Sequence, residues 1–381
     1  MTPRQFRVHV SDDVLADLRS RLERVRWPDE APGAGWEHGT ELAYLRELVA
    51  YWRDRFDWRA QEAALNRLPH FQVPIADLDL HFIHAPGVGP NPLPLLISHG
   101  WPGSIWEFHR ILPLLTDPGR HGGDPRDAFT VVAPSLPGYG FSYRPNQPRQ
   151  DIAQIADTFA TLMADVLGHP RFAAHGGDWG SYVTARLGAA YPERLVGIHL
   201  TLMPLRPTFA APEHPTDEER RFLDEVRRWQ REEQGYHMIQ GTRPQTLAYA
   251  LTDSPVGLAA WIVEKFRAWS DCDGDVERRF SKDDLLTNVM LYWVTGAISS
   301  SFWPYYAIRH HPWPLPEDRR IDVPTGFASF PKEIRHPPRR VVEQAFNLRR
   351  WTEMPAGGHF AALEEPEALA AELRAFFRDL R

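Results

Sequence analysis

A five-residue turn, Gly176-Gly177-Asp178-Trp179-Gly180, contains the side chain best placed to act as a nucleophile. It follows the apolar run 172–175 and precedes a helical pattern that begins near Trp179. Small residues around one central side chain allow a strained strand-to-helix turn that lifts this side chain above a sheet. The central residue is Asp178, where an esterase or lipase would carry serine, and no G-x-S-x-G sequence occurs in the chain. The alternative is an aspartate that only caps the following helix.

A second turn, His99-Gly100-Trp101-Pro102, follows an earlier apolar run and could supply a backbone N–H group. In hydrolases built around a nucleophile turn, an amide at such a strand end and the amide after the nucleophile together hold a developing negative charge. These amides would be those of Trp101 and Trp179. The alternative is an ordinary Gly-Pro turn. Its position at a strand end, about 80 residues before Asp178, favours the oxyanion hole.

A histidine and an acidic residue follow Asp178 and complete a candidate catalytic set in the chain order nucleophile, acid, base. His359 lies in the loop Gly357-Gly358-His359-Phe360, last in the order nucleophile, acid, base. Glu333 comes between them, just after the apolar run 323–330. Asp322 precedes the same run and would lie at the opposite end of the sheet. Because chemistry in parallel sheets gathers at the carboxyl ends of the strands, Glu333 is the predicted acid.

These residues need a scaffold that brings strand ends together, and the hydrophobic pattern predicts one. Between residues 93 and 200, short apolar runs alternate with helical patterns, which is typical of a parallel sheet covered by helices on both faces. The alternation stops near Pro204 and resumes near Val323, and a capping box at 216–219 and an apolar helix over 285–301 lie between. The predicted divisions are an N-terminal extension of helices and one first strand (1–90), a first core part (91–204), a helical lid or cap (205–321) and a second core part (322–381).

Composition excludes several classes of protein. The 381 residues carry 43 basic and 50 acidic side chains, a net charge of −7, which argues against nucleic acid as the main partner. A single cysteine excludes a disulfide framework and a cysteine-rich metal site. No apolar run is long enough for a membrane helix, and no secretory signal is apparent. We therefore expect a cytoplasmic protein with no membrane anchor.

Together the motifs resemble those of the epoxide hydrolases of the α/β-hydrolase fold, specifically the microsomal and juvenile-hormone-type branch. The similarity covers nearly the whole chain and rests on HGWPGS at 99–104, GGDWG at 176–180, DSPVGL at 253–258, LLTNVMLYW at 285–293, VPTGF at 323–327 and GGHFA at 357–361. It implies an α/β-hydrolase fold with a mostly parallel sheet, an inserted helical lid and an N-terminal helical extension. It also implies conversion of a small-molecule epoxide and water to a vicinal diol, without metal or cofactor.

The resemblance implies roles for the matching residues. The nucleophile that forms a covalent ester, the base that activates water and the acid that orients the base would be Asp178, His359 and Glu333. Two lid tyrosines donate hydrogen bonds to the epoxide oxygen in this family. Tyr236 matches the first and Tyr305 the second. The residues around Tyr305 depart from the usual motif, so Tyr306 stays open as the second donor. The oxyanion hole would use the amides of Trp101 and Trp179 and the supporting turn of His99, Gly100 and Pro102.

Two other functions remain open from the sequence. A haloalkane dehalogenase also uses an aspartate nucleophile, but halide needs indole or amide N–H donors, whereas paired tyrosines suit an alkoxide. A non-catalytic ligand-binding protein could share the fold, since fold alone does not give function. Lid tryptophans such as Trp261, Trp269 and Trp303 favour a hydrophobic substrate, either a xenobiotic or a secondary metabolite. A homodimer is compatible with the chain, whose oligomeric state cannot be read from the sequence.

Overall fold

A nine-stranded sheet forms the centre of the protein in the computed structural model, which describes residues 2–206 and 213–381. The strands are β1 Arg4–Gln5, β2 His70–Ile75, β3 Leu78–Ala85, β4 Leu93–Ser98, β5 Phe129–Pro134, β6 Phe172–Gly176, β7 Leu195–Leu200, β8 Ile321–Ser329 and β9 Phe346–Glu353. Their order across the sheet is β1-β2-β3-β5-β4-β6-β7-β8-β9. The six strands from β5 to β9 in this order are parallel, and β1, β2 and β3 add an antiparallel edge. The predicted α/β fold with a mostly parallel sheet is thus confirmed.

The helices lie in three groups around this sheet. The extension contains α1 Asp12–Glu23, α2 Leu42–Asp54 and α3 Trp58–Leu65. The core contains α4 Ile111–Thr116, α5 Ile152–Thr161 and α6 Asp178–Ala190, and after β8 come α14 Arg339–Ala345, α15 Ala361–Glu364 and α16 Pro366–Arg378. Between β7 and β8 lie α7 Asp217–Glu232, α8 Gly235–Thr242, α9 Pro244–Asp253, α10 Pro255–Ala268, α11 Lys282–Thr295, α12 Ile298–Ser301 and α13 Trp303–His310.

Two sequence predictions about these elements were wrong. The N-terminal segment was expected to contain one strand, but β2 pairs with β3 and joins the sheet as well. The single apolar helix expected over 285–301 is broken, because α11 ends at Gly296, whose φ of 69° is left-handed. Glycine adopts this conformation without strain and so terminates the helix. A new short helix, α12, then turns the chain towards Tyr305.

The parallel strands are apolar because helices cover both of their faces. Every residue of β6 is buried, and so are the last four residues of β4 and of β7. Helix α6 packs against β4, β6, β7 and β8, whereas α16 packs against α4 and β7. These contacts hold the carboxyl ends of β4, β6 and β8 close together below the lid.

The lid helices are partly buried against the core and against the extension. Helix α10 contacts α1, α2 and α11, and α8 packs against α13. Among the described residues, no single helix is long and apolar enough to span a membrane. Helices α9 and α10 meet the criterion by length and composition only when taken together, and they bend by 115° at their junction.

Candidate active site

Asp178 lies at the turn between β6 and α6, where the backbone is strained. Its φ is +45°, a conformation that non-glycine residues seldom adopt. The glycines on either side allow the turn because a Cβ on Gly176 would collide with the carbonyl of Gly180, and one on Gly180 with that of Ser98. Helix α6 can therefore start directly at the strand end, with the positive end of its dipole beneath the carboxylate.

The predicted oxyanion turn contacts this carboxylate directly. The backbone N–H of Trp101 donates a hydrogen bond of 2.8 Å to Asp178 Oδ1. Gly100 leaves the space for this contact, because a Cβ there would overlap the aspartate side chain. Trp179 lies in the first turn of α6, where N–H groups have no acceptor within the helix. The Trp101 amide thus already contacts the carboxyl group, and the same role for the Trp179 amide stays a prediction.

His99 supports the turn 99–102 through contacts with the backbone and does not contact Asp178 or His359. Its Nδ1 lies 3.0 Å from the carbonyl oxygen of Gly100, and its Nε2 accepts a 3.2 Å hydrogen bond from the amide of Leu136. Burial lowers the pKa of His99 to about 4, so the ring is neutral and both nitrogens serve the backbone. Pro102 completes the turn, and its carbonyl accepts from Asn288 Nδ2 of α11 at 2.8 Å, which fastens the turn to the lid.

His359 lies between two carboxylates. Its Nδ1–H donates to Glu333 Oε1 at 2.6 Å, and its Nε2 is 3.4 Å from Asp178 Oδ2. Burial alone would lower the pKa of His359, but the charges of Glu333 and Asp178 outweigh burial and raise the pKa well above its usual value. The backbone N–H of Ile334 also donates to Glu333 Oε1 at 2.7 Å and fixes the acid. Asp322 lies at the start of β8, exposed and paired with Arg320, away from this group.

Two lid tyrosines close over the carboxylate, and they are Tyr236 and Tyr305. The Tyr236 ring stacks on Trp101 at 5.2 Å, and the Tyr305 ring meets Trp179 edge to face at 4.7 Å. The two phenol rings are 5.7 Å apart. Tyr306, the alternative to Tyr305, packs instead on Trp303 and His310.

Both phenols stay protonated. Burial, reinforced by the charge of Asp178, raises the pKa of Tyr236 well above 10.0, and burial together with Tyr236 and Asp178 does the same for Tyr305. The hydroxyl of Tyr305 is buried, and its polar neighbours are the phenol of Tyr236 and the indole of Trp179. It forms no hydrogen bond to a carboxylate or a backbone carbonyl among the described residues, so it is available to an acceptor that arrives with the substrate.

The lid loop between α10 and α11 is bonded to the loop that carries His359, a connection that the sequence motifs did not predict. The backbone N–H of His359 donates to the carbonyl of Trp269 at 2.8 Å, and the N–H of Gly357 donates to Asp271 Oδ2 at 3.0 Å. The ring of Trp269 also meets the His359 imidazole at 5.0 Å. No local pattern in the sequence indicates the partner of Asp271.

Glu107 is a site residue that the sequence reasoning missed. Burial raises the pKa of Glu107 to about 8, with His359 opposing the rise and Asp178 adding to it. At neutral pH its carboxyl is therefore protonated and adds no second negative charge beside Asp178. The available signal was an acid inside the apolar segment Ile105-Trp106-Glu107-Phe108, just after the oxyanion turn.

Comparisons with known proteins identify the family. Residues 3–108 match the sequence model described as the epoxide hydrolase N terminus, and residues 94–285 match that of the alpha/beta hydrolase fold. The chain is 40% identical to epoxide hydrolase 1 of Oryctolagus cuniculus over 98% of its length and 88% of that protein. It is 38% identical to juvenile hormone epoxide hydrolase 2 of Ctenocephalides felis, over 97% of the chain and 84% of that protein.

The overall fold also matches that of a solved structure. The structure of Aspergillus niger epoxide hydrolase superposes with a TM-score of 0.88 at 31% identity, covering 100% of this chain and 97% of that one. The similarity thus extends over the extension, the sheet and the lid together. The expected resemblance is confirmed, and the chain belongs to the epoxide hydrolases of the α/β-hydrolase fold.

Proposed function

We propose that this enzyme opens its epoxide in two steps, through an ester between Asp178 and one epoxide carbon. In the first step Asp178 Oδ2 attacks the carbon from the side opposite the C–O bond that breaks. The electrons of that bond pass to the epoxide oxygen, which takes a proton from a lid phenol. The hydrogen bond from the Trp101 amide supports this assignment of atoms, because it occupies Oδ1 and leaves Oδ2 as the attacking oxygen.

The phenols of Tyr236 and Tyr305 would supply the proton and hold the oxygen. An alkoxide is a stronger base than a phenolate, so proton transfer from either phenol is favourable even though burial has raised both pKa values. Donors in a dry, preorganised pocket stabilise developing charge more than water does.

In the second step His359 would take a proton from water, and the water oxygen would attack Cγ of Asp178. The negative charge then moves to Oδ1, where the amides of Trp101 and Trp179 hold it. When this intermediate collapses, the bond between Cγ and Oδ2 breaks, and the proton held by His359 passes to Oδ2, so that the diol leaves with that oxygen. The water oxygen stays on Asp178, and its remaining proton restores the lid phenol. Glu333 would fix the imidazole tautomer and stabilise its protonated form.

One observation carries the proposal: a single imidazole lies between the nucleophile, at 3.4 Å, and a buried acid, at 2.6 Å. While Asp178 is an anion, both carboxylates raise the pKa of His359. Ester formation removes the charge of Asp178, so the pKa of His359 should fall in the intermediate. The ring therefore becomes a better base at the stage when water must be activated.

The test is a single turnover in heavy-oxygen water with enzyme in excess. We expect an unlabelled diol and one heavy oxygen in the peptide that contains Asp178, read by mass spectrometry. A His359→Gln variant should accumulate the substrate adduct on that peptide, because the ester forms but is hydrolysed slowly. Heavy oxygen in the diol of the first turnover would instead show direct attack by water and would exclude the ester.

One observation fits the haloalkane dehalogenase alternative. The indole N–H groups of Trp101, Trp179 and Trp269 are buried without partners among the described residues, and indoles can bind halide. Measuring bromide release from 1-bromoalkanes beside diol formation separates the two activities. We expect diol without bromide, since the phenols donate hydrogen bonds to an oxygen leaving group. The nature of the epoxide, the cytoplasmic location and the homodimer stay predictions.

A further inference from the structure

The backbone around His359 is bonded to a lid loop that lies some 90 positions earlier in the chain. This loop comprises residues 269–281 and joins α10 to α11. The N–H of Gly357 donates to Asp271 Oδ2 at 3.0 Å, and the N–H of His359 donates to the carbonyl of Trp269 at 2.8 Å. The segment that carries the base is therefore held by the lid as well as by the core.

Glu364, the last residue of α15, joins the same two segments again. Its Oε1 accepts from the N–H of Phe360 at 3.0 Å, and its Oε2 accepts from the N–H of Asp271 at 2.8 Å. The residue is only 8% exposed, and losing a buried bond of this kind costs more than losing one at the surface. One carboxyl group thus fixes the distance between the lid loop and the residue that follows His359.

Arg279 connects this arrangement from the lid side. Its Nε donates to the carbonyl of Asp271 at 2.5 Å, its Nη2 to Asp271 Oδ2 at 2.8 Å and its Nη1 to Glu365 Oε1 at 2.8 Å. A guanidinium carries its donors in a rigid planar fork, so these three bonds fix the orientation of Asp271. Asp271 Oδ2 is shared between Arg279 and the N–H of Gly357. We call Asp271, Arg279 and Glu364 the His359 clamp.

Close packing makes the junction stiff. Phe360 stacks on Phe266 of α10 at 4.0 Å, and the ring of Trp269 meets the His359 imidazole at 5.0 Å. A Cβ on Gly358 would lie 2.6 Å from the carbonyl oxygen of Trp269, so the two backbones are in contact there. Because packed interiors transmit displacement, a shift of the lid loop would also move the backbone of His359.

Such a shift would affect one chemical step more than the other. His359 contacts Glu333 at 2.6 Å and lies 3.4 Å from Asp178 Oδ2, and misplacing a reacting group by about 1 Å can lower a rate by about 10²-fold. In the proposed reaction, His359 activates the water that hydrolyses the ester. Ester formation instead depends on Asp178 and the lid phenols. A displaced imidazole should therefore slow hydrolysis and leave ester formation nearly intact.

We propose that Arg279, together with Asp271 and Glu364, is a positioning residue that keeps His359 in place for ester hydrolysis. This role rests on the proposed two-step reaction at Asp178. The clamp acts through the backbone of residues 357–360. The lid then has two tasks: it carries the phenols for the first step and it places the base for the second.

Steady-state kinetics separates a positioning role from a merely structural one. In a two-step reaction kcat/KM reports the steps up to ester formation, whereas kcat reports hydrolysis when hydrolysis limits turnover. We expect Arg279→Gln to lower kcat and KM together, each by about tenfold or more, with kcat/KM nearly unchanged. A variant that only folded less completely would lower kcat and kcat/KM equally and keep KM.

The chain offers a matched control next to the clamp. Arg278 lies in the same lid loop, its side chain is 58% exposed, and it pairs with Asp273 at 2.9 Å. Arg278→Gln removes the same charge and should keep both kcat and KM. Arg279→Lys keeps the charge but loses the fork, so its values should lie between those of wild type and Arg279→Gln. Glu364→Gln can accept through one oxygen only and should show the same pattern if Arg279→Gln does not fold.

A single turnover with enzyme in excess measures the ester directly. Rapid quenching and mass spectrometry of the peptide that contains Asp178 give the rates at which the adduct rises and decays. We expect the decay to be slower by about tenfold or more in Arg279→Gln and in Glu364→Gln, with the rise unchanged. Decay rates equal to those of wild type and Arg278→Gln would overturn the clamp. Absence of any adduct in wild type and in His359→Gln would refute the reaction at Asp178 itself, and the clamp's role with it, so the two failures can be told apart.

Discussion

At the scale of single residues, a different neighbour contacts each of the two carboxylate oxygens of Asp178. The Trp101 amide holds Oδ1, and the His359 imidazole lies beside Oδ2. The chain order of nucleophile, acid and base predicted this set from the sequence, because each residue follows the end of a strand. Which of two adjacent tyrosines faces Asp178 could not be predicted, since the direction of a side chain depends on how α13 packs.

We expect Tyr305→Phe to slow ester formation and Tyr306→Phe to leave it nearly unchanged. Loss of one preorganised donor lowers such rates by about 10²-fold, and Tyr236 would remain as the second donor. Stopped-flow tryptophan fluorescence in the first turnover measures this step. Equal effects of the two substitutions would remove Tyr305 from the proposed role.

Glu107 should make stability depend on pH. The unfolded chain loses this proton near pH 4.5, whereas the folded protein holds it to about pH 8, so the free energy of unfolding falls as pH rises between these values. The glutamine in Glu107→Gln carries no such proton. Between pH 5 and pH 8 the free energy of unfolding of this variant should therefore rise relative to that of the wild type, by at least about 1 kcal/mol. Urea unfolding of both proteins across this range measures the difference. Parallel pH profiles would contradict the raised pKa.

At the scale of elements, local sequence predicted the start of α7 but missed a helix break and a strand. The capping box of α7 is present, with Thr216 Oγ1 accepting from the Glu219 amide at 3.2 Å. The break at Gly296 was missed because the apolar pattern continues across it, from Val294 to Ile298, and this pattern suggests one continuous helix. Strand β2 was missed because its register is set by pairing with β3, which lies outside any local window.

We expect Gly180→Ala to disrupt the junction of α6 with β4. The added methyl would collide with the carbonyl of Ser98, and neither the strand nor the helix start can retreat without moving Asp178. Activity should fall by at least about 10²-fold, because small misplacements of reacting groups have effects of that size. Diol formation and the denaturant midpoint are the measurements. Gly235→Ala at the start of α8, where a methyl meets nothing within 4 Å, is the control that should keep both values.

At the scale of the whole molecule, the N-terminal extension joins the sheet through its strands and is bonded to the lid through its helices and the segment around Thr40. Arg21 of α1 donates to Asp253 at 3.0 Å, Thr40 donates to the carbonyl of Ala260 at 2.8 Å, and Tyr51 of α2 donates to Asp283 at 2.8 Å. The loop between α10 and α11 is held in addition by the His359 loop. The middle of the lid is therefore bonded both to the extension and to the core. No local motif could have shown the bonds to the extension, because the partners are separated by more than 200 positions.

Tyr51→Phe should loosen the lid without touching the site. Loss of a hydrogen bond to a carboxylate is worth about 1–2 kcal/mol. We expect a lower free energy of unfolding in urea and faster tryptic cleavage within α10 and α11. Tyr249→Phe on α9, where the side chain is 70% exposed, should change neither quantity. If both variants behave alike, the extension does not restrain the lid.

The burial of Cys272 affects how readily the enzyme is alkylated by its own epoxide substrates. Epoxides alkylate thiols and free amines, but this thiol is 1% exposed and donates to the carbonyl of Arg267. Lysine occurs only at Lys265, Lys282 and Lys332, and the remaining basic residues are arginines, whose protonated guanidinium is not nucleophilic. Lys265 and Lys282 are ion-paired and shielded, which leaves Lys332 exposed. Prolonged exposure to a reactive epoxide should therefore leave adducts, among cysteine and lysine, at Lys332 alone, as peptide mass spectrometry would reveal, and the enzyme would be inherently resistant to inactivation by alkylation.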